Sequence, residues 1–159
     1  HVVCRRQRQM CIRDRLGSAR DIYEKPRNRF VADFIGDTNL LPVMIKAVDE
    51  DIAQCELEGD ISFNAHSIEG AMPGDQLYVS IRPERIFISD TTDHGFAFSA
   101  RVRENIFIGT DITSRIALEN GAEFHVRASN SERGNRRVFE PGTEVYVMIE
   151  EGAARLLAE

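Results

Sequence analysis

The sequence has very little lysine, and it lacks the loops that hold nucleotide phosphates. Lys25 and Lys46 are its two lysines, and neither follows a glycine, so a phosphate-binding loop ending in Gly-Lys-Ser/Thr cannot form. A Gly-x-Gly-x-x-Gly pattern is also absent. We therefore expect no catalytic residue, no nucleotide site and no cofactor within this chain.

Side chains that form disulfides or bind metals are few and widely spaced. Cys4, Cys11 and Cys55 are an odd number without close spacing, and no two histidines flank a glutamate at i, i+4. This excludes a disulfide framework and a zinc site, and it predicts Cys55 to be a small core residue. No apolar run approaches the roughly 18 residues of a membrane-spanning helix, and the N-terminus lacks a secretory signal, so we expect a cytoplasmic location.

Charge is distributed unevenly along the chain. Residues 1–15 hold five arginines and one aspartate (+4), so the net charge of -6 leaves -10 for residues 16–159. An acidic body disfavours binding to a phosphate backbone, and we expect no nucleic-acid partner. The basic stretch has no helical or strand periodicity, and we interpret residues 1–15 as a disordered or non-native tail.

Most of the remaining sequence predicts short strands separated by turn residues. A 42 % apolar content can supply a core, and the alternation typical of half-buried strands is clear at 76–82 and 144–149. Two short helices should come first: one begins at Ser18 and ends at Pro26, and another spans 28–35 and stops at Gly36. The predicted strands cover 41–48, 53–57, 76–82, 96–108, 111–118, 123–128 and 144–149.

An internal repeat suggests two copies of one β unit. The sequence PGDQLYVSI at 73–81 matches PGTEVYVMI at 141–149 with a constant offset of 68, and five of the nine positions are identical. Chance similarity is the alternative, because a Pro-Gly turn before a strand is common. If the repeat is real, its boundary lies near residues 90–95 and its six apolar strand positions should all be buried: Leu77, Val79, Ile81, Val145, Val147 and Ile149.

Two further features invite a functional reading that we do not favour. Asp49, Glu50 and Asp51 could suggest a cation site, but they fall where a strand pair should turn, and solvated carboxylates are common in turns. Phe96, Phe98 and Phe107 lie near two arginines, as in a base-stacking surface. Because the body is acidic, we predict that these aromatic residues pack in the core.

Three sequence motifs resemble those of a known family. DIYEKPRNRFVADFIG at 21–36, followed by Thr38 and Asn39, resembles the junction after the nucleotide-binding domain in ABC importer ATPases of the polyamine, iron and sugar group. It is most similar to the spermidine/putrescine type. VSIRPE at 79–84 and NIFIGT at 105–110 resemble motifs of the transport-associated OB (TOBE) regulatory domain. The resemblance covers residues 16–159.

The resemblance implies a mainly β fold with two intertwined OB-like β-barrel units, preceded by short helices. Its domains would be the tail 1–15, a helical end of a truncated nucleotide-binding domain at 16–37, a first β unit at 38–92 and a second at 93–159. Pro83 would end the ladder after Arg82, and Gly109 would permit a bend. Positions that match the family motifs, with uncertain roles, are Tyr23, Pro26, Phe30, Gly36, Arg82, Pro83, Glu84 and Gly109.

The function implied is that of a regulatory and dimerisation domain without its ATPase core. The full-length parent would be a dimeric ATPase that uses ATP and magnesium. It would lie on the inner face of the bacterial plasma membrane and drive two permease subunits that import polyamines. Two alternatives remain open: a stand-alone oxyanion-binding protein with paired OB modules, and, as the weaker one, an OB-fold binder of single-stranded nucleic acid. The sequence leaves the transported substrate and any small effector undetermined.

Overall fold

The computed structural model describes residues 36–57, 61–92, 97–129 and 138–157, together with Pro26. The predicted mainly β fold is confirmed, and a 3-10 turn at Pro83–Arg85 is the one helical element in these ranges. No helix in the described part of the chain has the length and hydropathy needed to cross a membrane. The strands are β1 (Asn39–Asp49), β2 (Ile52–Leu57), β3 (Ile61–His66), β4 (Gln76–Ile81), β5 (Ile86–Ser89), β6 (Ala97–Ile108), β7 (Asp111–Leu118), β8 (Glu123–Ser129), β9 (Glu144–Ile149) and β10 (Arg155–Leu157).

The first unit is a closed five-stranded barrel in the order β1-β2-β3-β10-β4. Strand β1 shows why the sequence favours this arrangement, because Leu41, Val43 and Ile45 are buried while Met44 and Lys46 are exposed. A slip of one residue would turn the three buried side chains to water, so the apolar pattern sets the register of β1.

The second unit is a five-stranded sheet in the order β5-β9-β6-β7-β8. Its buried face includes Val102, Ile116 and Phe124, which continue the core of the first unit. The resemblance implied two barrels, but only the first is closed by a ladder. In the second unit the outer strands β5 and β8 contact each other without forming one.

The predicted repeat also appears in the backbone. Strands β4 and β9 begin and end 68 residues apart. In the first copy the N–H of Gly74 donates to the carbonyl of Ile45, and in the second the N–H of Gly142 donates to that of Val102, each at 2.8 Å. Both glycines have positive φ, at 96° and 91°, which suits the tight turn before each strand.

The two units exchange strands reciprocally. Strand β5 follows β4 in sequence but pairs with β9, and β10 follows β9 but pairs with β4. The registers repeat as well: Ile88 faces Val147 in one sheet, and Leu156 faces Val79 in the other. Leu156 follows Ile88 by 68 residues, and Val79 precedes Val147 by the same number. The two pairs therefore occupy equivalent places in the repeat. Each unit is therefore completed by a strand that the other copy of the repeat supplies.

This exchange bears on the predicted domain limits. The division into 38–92 and 93–159 stays a prediction, but sheet membership departs from it at β5, which lies in the second sheet, and at β10, which lies in the barrel. The predicted helices at 18–26 and 28–35 lie outside the described residues, as does the tail at 1–15.

Burial corrects one part of the repeat prediction. Val79, Ile81, Val145 and Val147 are at most 1 % exposed, as expected. Leu77 and Ile149 are only partly buried and pack at the edge of the core, so the prediction of six buried positions was wrong for them. The equivalent positions in the other copy, Val145 and Ile81, are 1 % and 0 % exposed, so the two copies differ in how their strand ends are covered.

Candidate functional site: the junction segment

Residues 36–39, here called the junction segment, lead into β1 and run between the two units. On one side lies the end of β4, and on the other lies β8. The 3-10 turn that follows β4 also contacts β8. The junction segment is therefore placed where the barrel and the second sheet meet.

Asn39 is the buried polar residue that joins the two units. Its side chain is 5 % exposed, and its Nδ2 donates to the carbonyl of Ile81 in β4 (3.2 Å) and to that of His125 in β8 (2.9 Å). Its Oδ1 accepts from the N–H of His125 at 2.6 Å. The amide therefore uses both its donor nitrogen and its acceptor oxygen. Because an unpaired buried polar group is costly, these bonds fix the positions of β4 and β8 relative to Asn39.

Two flanking residues add more exposed contacts. The hydroxyls of Thr38 and Ser80 lie 2.9 Å apart within hydrogen-bond distance. The Asp37 carboxylate accepts from the guanidinium of Arg127 in β8 at 2.6 Å. Because the Asp37 side chain is 65 % exposed, this ion pair contributes little stability. It orients the junction segment more than it stabilises it.

Arg82 binds the first two residues of the junction segment. It is 7 % exposed, and its guanidinium donates to the carbonyls of Gly36 and Asp37, both at 3.3 Å. Pro83 is buried and begins the 3-10 turn directly after β4 ends. Glu84 lies on the same turn and is half-buried. The structure thus brings Gly36, Arg82, Pro83 and Glu84 into one region.

The other predicted positions lie elsewhere. Gly109 is in the two-residue turn between β6 and β7, with φ of 60°, a conformation in which glycine carries little strain. Pro26 is buried. Tyr23 and Phe30 lie outside the described residues.

Sequence reasoning did not single out the residues that anchor the junction. Asn39, His125 and Arg127 were given no role, although Asn39 continues the inward series of Leu41 and Val43 in β1. A polar side chain on an otherwise apolar strand face must find partners, and this is the signal that could have identified it. His125 contributes only backbone atoms to Asn39, so its side-chain type carries no signal.

Two cavities formed by described residues are lined in part by carboxylates. One, of about 290 Å³, has Glu150 and Glu151 beside Gln54, Asn64 and Phe98. The other, of about 590 Å³, lies at the turn that contains Asp49, Glu50 and Asp51. No lysine or arginine lines either one. Neither has the positive charge that would favour an oxyanion, and no group of three or more metal-binding side chains occurs among the described residues.

The aromatic residues near the arginines divide between core and surface. Phe98 packs against the buried Phe124 with ring centroids 5.9 Å apart, in agreement with core packing. Phe107 is 69 % exposed, so the prediction of core packing was wrong for this residue. It lies near the end of the β6–β7 hairpin, beyond the part of β6 that pairs with β9. Phe96 lies outside the described residues.

Comparison with known proteins gives this architecture a family. Residues 79–157 match the TOBE domain, and the chain belongs to the proteins that contain this domain. Over 143 residues, or 90 % of its length, it is 48 % identical to the spermidine/putrescine import ATP-binding protein PotA of Roseobacter denitrificans. It is 34 % identical over 91 % of its length to the protein of the same name from Pseudomonas fluorescens. The chain spans only 39 % and 38 % of these two relatives.

A solved structure shares the fold. The cytoplasmic molybdate-binding protein ModG superposes with a TM-score of 0.65 at 12 % sequence identity, covering 76 % of this chain and 96 % of that one. At this identity the likeness concerns the fold alone.

Proposed function

We propose that this chain is the regulatory and dimerisation part of an ABC importer's ATP-binding subunit, and that the importer transports polyamines. The similarity to spermidine/putrescine import ATP-binding proteins along 90 % of the chain carries this proposal. The subunit would bind ATP and magnesium in the portion of the relatives that has no counterpart here. It would act on the inner face of the plasma membrane, as a homodimer joined to permease subunits through that portion.

The junction segment supports a mechanical role for this part. Asn39 bonds to β4 in the barrel and to β8 in the second sheet, and Arg82 holds the carbonyls just before it. A displacement of the preceding ATP-binding portion would therefore move both units together. Regulation requires such a connection, because two sites are coupled only when one element responds to both of them.

The cavities favour this role over oxyanion binding. A bound oxyanion needs convergent positive charge or hydrogen-bond donors. The two cavities described above contain carboxylates, whose negative charge disfavours an oxyanion, and no lysine or arginine lines them. The likeness to ModG extends to the fold, and one fold serves many functions.

A chimaera tests the proposal. Residues 16–159 are joined to the ATP-binding portion of the Roseobacter denitrificans relative, and ATPase and polyamine transport rates are measured with and without this segment. We expect the segment to change the ratio of transport to ATP hydrolysis, whereas the isolated chain should neither bind nor hydrolyse ATP. Equal ratios with and without the segment would refute the regulatory role, and ATP turnover by the isolated chain would overturn the assignment.

A further inference from the structure

The end of the β6–β7 hairpin carries an exposed apolar patch. Ile106, Phe107 and Ile108 are 47 %, 69 % and 57 % exposed, and together they form what we call the hairpin patch. They precede the turn at Gly109 and Thr110. These three large apolar side chains lie outside the buried core of the described residues, and exposed apolar groups of this kind commonly mark contact sites.

The internal repeat provides a comparison within the same molecule. Both β1 and β6 contain a bulge and then continue into a hairpin with the next strand. In the first unit that hairpin turns at the acidic residues Glu50 and Asp51. The second hairpin is longer and ends in the apolar patch. Glu50 and Asp51 correspond to the turn residues Gly109 and Thr110. The residue before the first turn is the exposed Asp49, the counterpart of Ile108, so the fold does not require an apolar residue there.

The patch lies close to the junction segment. Ile106 pairs with Thr113 in β7, and Thr113 pairs with Arg127 in β8. These three residues form one row across the sheet and share a face, so with strands about 4.8 Å apart the row is about 10 Å long. Arg127 at its far end is the ion-pair partner of Asp37. The chain thus enters the fold beside the face on which Ile106 and Ile108 lie.

We infer that the hairpin patch docks on the ATP-binding portion that precedes residue 36 in the same polypeptide. This inference rests on the proposed function. Three side chains of this size offer roughly 300 Å² of apolar surface, far less than the ~800 Å² per partner of a stable interface between separate molecules. A portion tethered at the junction segment needs much less area, because its effective concentration is on the order of millimolar. The patch therefore suits a tethered partner better than a second copy.

Cysteine labelling tests this contact in the chimaera described above, with other accessible cysteines removed from the ATP-binding portion. Within residues 16–159 the parent has only Cys55, which is fully buried, and whose thiol has its pKa raised to about 11 by burial, so it should not react. Thr110→Cys places a thiol beside the patch, and Asp51→Cys places one at the equivalent turn of the first unit. Both parent residues are exposed.

We expect maleimide to label Thr110→Cys at least about tenfold more slowly than Asp51→Cys, because docking covers the hairpin end. Adding Ile108→Ser should restore labelling at residue 110 to within about twofold of that at residue 51, because Ile108 lies on the face beside the junction segment. Equal rates for the two single variants, or slow labelling that Ile108→Ser leaves unchanged, would overturn the inference. Slow labelling that disappears on dilution would assign the contact to a second copy and would also overturn it.

Failure of this inference can be told apart from failure of the proposed function. If removing residues 16–159 alters the coupling of hydrolysis to transport but residue 110 labels rapidly, the regulatory role stands and the docking is wrong. If removal leaves the coupling unchanged, the proposed function fails whatever the labelling rates are.

Discussion

Replacing Asn39 by alanine should destabilise the protein more than any exposed polar substitution. The substitution removes a side chain that bonds both to β4 and to β8. It leaves the N–H of His125 without its acceptor and removes one donor from each of two carbonyls. The carbonyl of Ile81 keeps the Thr38 hydroxyl as a donor at 3.3 Å. The site is covered by its surroundings, since Asn39 is 5 % exposed.

The size of the effect follows from these unpaired groups. A buried donor or acceptor that loses its partner costs about 1–3 kcal/mol. The N–H of His125 should account for most of the loss, and the carbonyls for less because each has a second lone pair. We expect the free energy of unfolding to fall by about 2–4 kcal/mol, which for a chain of this size lowers Tm by roughly 6–12 °C.

Urea unfolding and thermal melting followed by circular dichroism measure this loss. Asn64→Ala is the matched control, because Asn64 is exposed on β3 and its loss should change stability by less than about 0.5 kcal/mol. Asn39→Asp should not restore the parent's stability, since a carboxylate can accept from His125 but cannot donate to either carbonyl. If Asn39→Ala is as stable as Asn64→Ala, the two units are not joined at this residue.

Two further predictions concern the core. Val79→Asp and Val147→Asp should each prevent folding, because both valines are 0 % exposed and a carboxylate there would be buried without a partner. A native-like circular dichroism spectrum from either variant would contradict the strand assignment. Burial raises the pKa of Cys55 from 9.0 to about 11, so the thiol ionises first in the unfolded chain and its stabilising contribution is lost as pH rises from 9 to 11. Between pH 8 and pH 10 the parent should lose about 1 kcal/mol more than Cys55→Ala in urea unfolding, and equal losses would show that this thiol does not titrate differently on folding.

The strands with strong alternation could be read from the sequence. β4 and β9 were predicted to within one residue of their observed ends, because Leu, Val and Ile recur at every second position on one side and polar residues on the other. The internal repeat that relates these two strands could also be recognised, because the Pro-Gly turn and three apolar or aromatic positions are identical in both copies.

The strands that complete each unit could not be predicted. β10 has only three residues and β5 has four, and both lack the length over which alternation becomes distinct. β3 was missed although its residues ISFNAH alternate between apolar and polar, so the signal for this strand was present in the sequence. The exchange of strands depends on pairing between distant residues, and local pattern contains no information about it.

The candidate site was anticipated in part. Arg82, Pro83, Glu84 and Gly36 were selected from a family resemblance, and the structure places them in one region. Arg82 binds the junction segment through the backbone carbonyls of Gly36 and Asp37. The type of an amino acid does not indicate which groups its backbone atoms bind. The exposure of Phe107 was misjudged for a related reason: alternation indicates which side of a strand a residue faces, but not where the covering layer ends.

The reciprocal exchange of β5 and β10 has a consequence for synthesis on the ribosome. The barrel contains strands from near both ends of the described chain, because β1 begins at Asn39 and β10 ends at Leu157. During translation the first four strands emerge long before the fifth, and until then β4 presents an unpaired edge. The first unit cannot complete its barrel until the second unit has been synthesised. During that time the incomplete barrel of the nascent chain can pair incorrectly with other strands.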